Sequence, residues 1–303
     1  MDGFLNLLKP PGMSSGAAVA VIKRLTGEKV GHAGTLDPEA AGVLPVMVGR
    51  ATRLLDYFSD REKEYVAQIA FGCSTDTQDA QGVVLEKSDV LPDEQAILAI
   101  LPRFTGDILQ RPPAYSAVKR GGRPLYALAR QGVMVQAEQR PARIEKLELG
   151  ACVAKGIYVL NVLCGKGTYI RTLCHDIGQA LGCPAHMRFL LRTKSGPFSI
   201  ENAVTLEEFS NAAKDGTGES LLLPMDYPLG DLPRVDLAKQ YQQMALNGVK
   251  LPLDAFPLGN GQTGRAYIGD ELIGICAGAD DQLVFRALVT SAVAFNAAHG
   301  ILR

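Results

Sequence analysis

The chain has 303 residues, is 47% hydrophobic and carries a formal net charge of −1. That length suits two domains, and the apolar content is enough for packed cores, so long-range disorder is excluded. It has no apolar run of about eighteen residues, no basic start and no small-residue cleavage site; a cytoplasmic protein without membrane spans is expected.

Apolar spacing outlines the elements in chain order. A helix capped by Ser14 or Ser15 carries Ala18, Val21, Ile22 and Leu25 on one face and closes at Gly27. Residues 65–71 read as a strand. A second helix starts near Asp93 and carries Ile97, Ile100, Leu101 and Phe104, and a third, short one starts at Pro124 and stops at Gly132. Residues 157–164 read as another strand. A fourth helix carries Ile170, Leu173, Cys174, Ile177 and Leu181 and closes at Gly182. Pro224, Pro228, Gly230 and Pro233 mark a linker around residues 229–233. Beyond it a fifth helix bears Leu237, Tyr241, Met244 and Ala245, and residues 267–276 and 283–289 form a β pair. Helices and strands mix without regular βαβ alternation, which points to an α+β fold. The expected domains are residues 1–230 and 231–303, the second folding separately as a helix with a small β barrel or sheet.

Charge is distributed in blocks. Residues 103–146 hold nine basic residues against three acidic ones, and residues 164–196 hold five against one, while residues 60–94 hold three against nine. A chain that is neutral in sum but basic in blocks can line a groove for an anionic ligand. The six cysteines include no C-x-x-C pair and the four histidines show no ligand spacing, so no metal is expected and the cysteines read as small buried hydrophobes. The run at residues 259–264 matches G-x-G-x-x-G, but a strand-like segment follows it where a dinucleotide site needs a helix, so it reads as a hairpin loop. Residues 165–168 lack the rest of a phosphate loop.

The segment that stands out is GHAGTLDPEAAGVL at residues 31–44. It sets one carboxylate, Asp37, in small and apolar surroundings. Gly31, Gly34 and Gly42 allow positive φ, and Pro38 stiffens the chain after Asp37. Such a carboxylate must be desolvated or paired, which makes it a candidate nucleophile or base. The plainer alternative makes Asp37 the N-cap of a helix.

This segment resembles the catalytic motif of the TruB family of tRNA pseudouridine synthases. Further segments resemble that family's motifs in order: KPPGMSS at 9–15, KEY at 63–65 with Gly72 and Thr75-Asp76-Thr77, PPAYSAVK at 112–119 with GRPLYALARQG behind it, GTYIRTL at 167–173 and LRTKSGPF at 191–198. The likeness covers about residues 3–210. It implies a mixed, mostly antiparallel central sheet with flanking helices and a cleft across its middle, followed by a small RNA-binding domain of PUA type.

The resemblance also implies a reaction. Uridine becomes pseudouridine, here at position 55 in the T arm of tRNA, with no cofactor, metal or protein partner and with the protein acting as a monomer. Asp37 matches the catalytic aspartate, whether it addresses C1′, C6 or C2′. Arg171 matches the arginine paired with it and Tyr65 the active-site tyrosine. His32 matches a histidine filling the space around the flipped nucleotide, as base flipping requires. Tyr169 is expected in the same pocket, and Lys119 and Arg123 at the substrate, with Arg111, Arg120 and Arg130 along the RNA backbone; Lys9 is expected at the substrate or else as a buried structural lysine. Two other readings remain at this stage: a tRNA-folding chaperone without catalysis, and a guided relative that modifies ribosomal RNA.

Overall fold

The computed structural model describes residues 1–58, 61–116, 119–120, 122–124 and 137–299. In chain order its first strands are β1 (Gly3–Lys9), β2 (Val30–His32), β3 (Ala41–Val48), β4 (Lys63–Phe71), β5 (Cys73–Thr75), β6 (Val84–Lys87), β7 (Gly106–Gln110), β8 (Lys119–Arg120) and β9 (Arg123–Pro124). There follow β10 (Arg140–Ala154), β11 (Ile157–Cys164), β12 (Ala185–Ser195), β13 (Phe198–Ser199) and β14 (Val204–Thr205). Helices α1 (Ser15–Thr26), α2 (Glu94–Ile100), α3 (Ile170–Ala180) and α4 (Leu206–Lys214) lie between them.

Among the described residues ten strands form one sheet, ordered β14-β1-β3-β12-β4-β11-β10-β7, with β13 on β12 and β2 on β3. Only the β1–β14 and β3–β12 pairs in it are parallel, so the mixed, mostly antiparallel α+β architecture is present. The helix at 15–26 is where the spacing puts it. The Ser14 side chain accepts from Ala17 N, Ala18 and Ile22 are buried, and Gly27 closes the helix at φ 71°. The second predicted helix shortens to α2, because Pro102 follows and the chain tightens into a 3₁₀ turn over Leu101–Phe104. The helix expected from Pro124 to Gly132 lies outside the described residues. Of the cysteines, Cys152 is exposed and Cys73 half-buried, while Cys164, Cys174, Cys183 and Cys276 are buried as expected.

The C-terminal part contains β15 (Arg234–Asp236), α5 (Lys239–Leu246), β16 (Leu251–Pro252), β17 (Thr263–Ile268), β18 (Glu271–Ala279), β19 (Gln282–Leu288) and α6 (Ala292–Ala298). Its sheet runs β15-β17-β18-β19-β16. The expected single strand at 267–276 is in fact the tip of a hairpin. Ile268 pairs with Glu271 across Gly269 and Asp270, a two-residue turn with Gly269 at φ 60°. The loop at 259–264 leads into β17 rather than joining two strands of a hairpin. No helix among the described residues is long and apolar enough to cross a membrane.

The proline-bearing segment does not leave the two sheets independent. Phe4, Val43, Met47, Leu54, Phe58 and Phe198 from the first part share one buried cluster with Tyr267, Leu272, Ile275 and Val289 from the second. Phe4 and Phe58 meet edge to face with ring centroids 5.0 Å apart. Polar ties reinforce this seam. The Tyr267 hydroxyl donates to Asp226 Oδ2 at 2.5 Å, and Arg61 pairs with Asp231. Deleting residues 231–303 strips this cluster of one wall. We expect the truncated chain to melt about 5 °C or more below the full chain and to bind a hydrophobic dye. Equal midpoints in scanning calorimetry would show that the seam contributes nothing.

Candidate active site

Asp37 lies on the loop between β2 and β3. The two strands pair from Val30↔Val48 to His32↔Val46, and Ala33 N still donates to Pro45 O at 3.0 Å. The chain then leaves the sheet at Gly34 (φ 100°) and rejoins it at Gly42 (φ 113°), whereas Gly31 stays in the regular strand. At Gly42 a Cβ would stand 2.2 Å from Arg192 O, so the backbones meet there as only glycine allows. Between the glycines Asp37 opens a turn, with Pro38 second and Ala40 N donating to Asp37 O at 3.1 Å. No helix follows, so the N-cap alternative is excluded.

Three side chains fasten this loop by its backbone. Ser15, the first residue of α1, accepts from Leu36 N at 2.9 Å and donates to Leu36 O at 3.0 Å. Lys9 Nζ donates to Pro38 O at 3.0 Å, Pro10 O at 2.8 Å and Met13 O at 2.6 Å. Arg192 donates to Val43 O at 2.7 Å and Gly34 O at 2.9 Å. Lys9 is fully buried, and burial pushes its ammonium down to about 8 even though the carboxylates of Glu39 and Asp37 work the other way. It is therefore a loop anchor, and the expectation of Lys9 at the substrate is corrected.

The carboxylate of Asp37 meets Arg171 from the first turn of α3. Nε lies 2.9 Å from Oδ2 and Nη2 donates to Oδ1 at 3.0 Å, a bidentate pair. The guanidinium is buried, and its remaining donors face Thr77 O at 3.2 Å, Tyr115 O at 3.1 Å and the Asp79 carboxylate at 3.8 Å. It has no freedom to swing away. The Asp37 side chain remains 34% exposed, so the carboxylate it orients faces solvent. Gln110 fixes the start of α3 by accepting from Tyr169 N at 2.9 Å and donating to Tyr169 O at 3.2 Å.

The other expected residues fall into place unevenly. Tyr65 on β4 is buried, and burial raises its hydroxyl above the ordinary value, against the neighbouring Arg192. Tyr169 is raised by burial too, opposed by the nearby Ser116 hydroxyl and the Arg171 charge. Both tyrosines feel the Asp37 charge. His32 is held below its ordinary value, first by burial and then by Arg192, so its ring is neutral at neutral pH, and its Nδ1 is buried without a partner. Lys119 and Arg123 belong to the small β8–β9 pair, but their side chains, like Arg130, lie outside the described residues. Arg111 is exposed and donates to Ala137 O at 3.2 Å.

The sequence reading missed Asp79 and gave Arg192 no task. Asp79 is a second carboxylate on the Arg171 guanidinium, but its Oδ1 already accepts from the Thr77 hydroxyl at 2.6 Å and Gln81 N at 3.0 Å. It is an acceptor locked in place, not a base poised over water as a hydrolytic pair would need. Among the described residues no group of His, Cys, Asp and Glu side chains is placed to hold a metal ion. Gln78, Arg111, Thr172, His175 and Asp176 line a cavity of about 490 Å³.

Two family models match adjoining segments of the chain. Residues 23–170 match the TruB family pseudouridylate synthase N-terminal domain, and residues 171–230 match the tRNA pseudouridylate synthase B C-terminal domain. The tRNA pseudouridine synthase B of Alkaliphilus oremlandii is 42% identical over 90% of this chain and 92% of its own length. The chain belongs to the TruB family. Other members include the tRNA pseudouridine synthase B of Pseudomonas putida, 46% identical over 82% of both chains, and that of Burkholderia lata, 42% identical over 96% of this chain and 91% of the relative. Among solved structures, a Cbf5 chain from a Cbf5-Nop10-Gar1 complex superposes with a TM-score of 0.74 at 28% identity, covering 97% of this chain and 86% of that one. The two family models meet at Arg171, so Asp37 and its guanidinium partner fall in different matched segments, while Lys9 and Ser15 precede both.

Lys9→Met tests the corrected role. Taking their shared donor from three carbonyls should cost about 2 kcal/mol in chemical denaturation, while RNA affinity stays within about three-fold, because a buried ammonium contributes no phosphate contact. A large loss of affinity without loss of stability would restore Lys9 to the substrate.

Proposed function

We propose that the protein isomerises uridine to pseudouridine in tRNA, at position 55 of the T arm, with Asp37 as the catalytic carboxylate. The C1′–N1 bond of the flipped uridine breaks, the uracil turns, C5 bonds to C1′, and the proton lost from C5 is balanced by one gained at N1. Nothing is oxidised and no second substrate is consumed. The bidentate Asp37–Arg171 pair carries this reading: a buried guanidinium keeps an accessible carboxylate charged and aimed.

In this scheme Tyr65 and Tyr169 line the pocket that receives the extruded base, and His32 occupies the space beside it. Lys119, Arg123 and Arg111 contact the RNA backbone, and residues 231–303 form an RNA-gripping domain attached to the catalytic one at residues 1–230. Identities of 42–47% to tRNA pseudouridine synthase B, against 28% to the Cbf5 chain, favour tRNA over guided ribosomal RNA and favour a monomer acting alone in the cytoplasm.

Modification mapping of an unmodified tRNA transcript tests this directly. Asp37→Asn should reduce pseudouridine to background while filter-binding affinity for tRNA is kept, because the amide preserves shape and removes the charge. Arg171→Lys should lose about a hundred-fold in rate, since an ammonium cannot reproduce the bidentate contact. Near-normal turnover by Asp37→Asn would remove the reading. A T-arm hairpin, which needs no magnesium to fold, should be converted at an undiminished rate in EDTA; arrest there would reveal a metal requirement.

A further inference from the structure

Arg192 is 1% exposed and heads the fully buried side chains by size. A cation taken out of water needs partners, yet no carboxylate pairs with Arg192 among the described residues. Its two hydrogen bonds go to backbone carbonyls, Gly34 O and Val43 O. Those carbonyls belong to the two ends of the Asp37 loop, one before the carboxylate and one after it.

The sheet gives Arg192 a second neighbour. On one side its Cα faces Gly42 on β3, and on the other it faces Tyr65 on β4. Directly opposed residues in an antiparallel pair project to the same side of the sheet, so the Arg192 and Tyr65 side chains share a face. The two are close enough for the guanidinium charge to oppose the rise that burial imposes on the Tyr65 hydroxyl. One side chain therefore spans the row from the Asp37 loop to the active-site tyrosine.

We propose that Arg192 is a positioning residue of this active site, tying both ends of the Asp37 loop and the Tyr65 side chain into one fixed register. It touches no substrate and acts through the groups it holds. The proposal rests on the isomerase reading above. A guanidinium suits the task because its planar fork reaches separate acceptors at once, which a lysine ammonium on a flexible stem does less well. Stability alone does not call for a charge here, since apolar replacements of buried ionic groups are often neutral.

The test first establishes turnover by the wild-type chain on a tRNA transcript, then compares Arg192→Met, Arg192→Lys and Tyr65→Phe, alone and combined, in single-turnover kinetics, tRNA binding and thermal melting. We expect Arg192→Met to slow the chemical step about ten- to hundred-fold at saturating tRNA, with the dissociation constant within about three-fold of wild type. Arg192→Lys should recover part of the rate. Arg192→Met should also cost less in the Tyr65→Phe background than alone, as for residues in contact. Full rate in Arg192→Met, or the same cost in both backgrounds, overturns the proposal, as does a rate loss that merely follows the melting temperature. Should Arg192→Met fail to fold, the same cycle with Arg192→Lys decides. A wild-type chain inactive on every tRNA uridine overturns the functional reading and this proposal with it; an active wild type with an unaffected Arg192 variant overturns this proposal alone.

Discussion

A guanidinium sealed from water must find an acceptor for each of its N–H groups, and Arg171 imposes that requirement on the whole catalytic half. With 5% of its surface exposed, it needs both Asp37 oxygens, Thr77 O and Tyr115 O around it, with Asp79 beyond. These acceptors come from separate loops, so the β2–β3 loop, the β5–β6 hairpin and the segment after β7 are drawn to the start of α3 by one demand. Of the two carboxylates Asp37 is the more open, 34% exposed against 21% for Asp79. The pair is desolvated unevenly: the guanidinium is sealed, while the carboxylate stays in reach of solvent and so of a ligand.

The loop bearing Asp37 is stiffened through its main chain. Ser15, Lys9 and Arg192 bind carbonyls or amides of Gly34, Leu36, Pro38 and Val43, while Leu36 and Ala40 sink into the core beneath. A loop held this way can present a side chain to substrate without that side chain taking part in its own support. Such separation of support from function is what keeps catalytic geometry within the narrow tolerance that chemistry needs.

Local features were legible in the sequence and pairings over distance were not. The α1 face, its Ser14 cap, its Gly27 stop, the buried face of α3 and the glycine brackets of the Asp37 loop follow from spacing and residue type. Strand β12 was hidden because Arg188, Arg192 and Lys194 interrupt its apolar run, although it lies mid-sheet and bulges twice along β4. The Gly269–Asp270 turn was present as a hairpin signal and was overlooked within a β-prone run. Asp79 had no signal of its own, since its meaning comes from an arginine far along the chain. Lys9 at the substrate fails because its carbonyl cage joins the adjoining Pro10–Met13 turn to Pro38, a pairing over distance that spacing does not show. The shared apolar seam was obscured for a related reason: prolines at a boundary speak of a turn in the chain, not of what packs across it.

The position of β12 bears on how the polypeptide can be made. Strands β3 and β4 are both complete early in synthesis, yet they do not pair with each other; β12 lies between them, bonded to both. Until the ribosome has released residues 185–195, the middle of the large sheet is an open slot flanked by two unpaired edges, each a template for wrong pairing. The strand that fills the slot is the one that brings Arg192. Nascent chains short of that point hold Asp37 on a loop that has Ser15 and Lys9 but lacks the tie at its two ends, so completion of the sheet and maturation of the pocket are a single late event. Stalled or truncated products would then be both inactive and prone to associate, with no partly competent enzyme between.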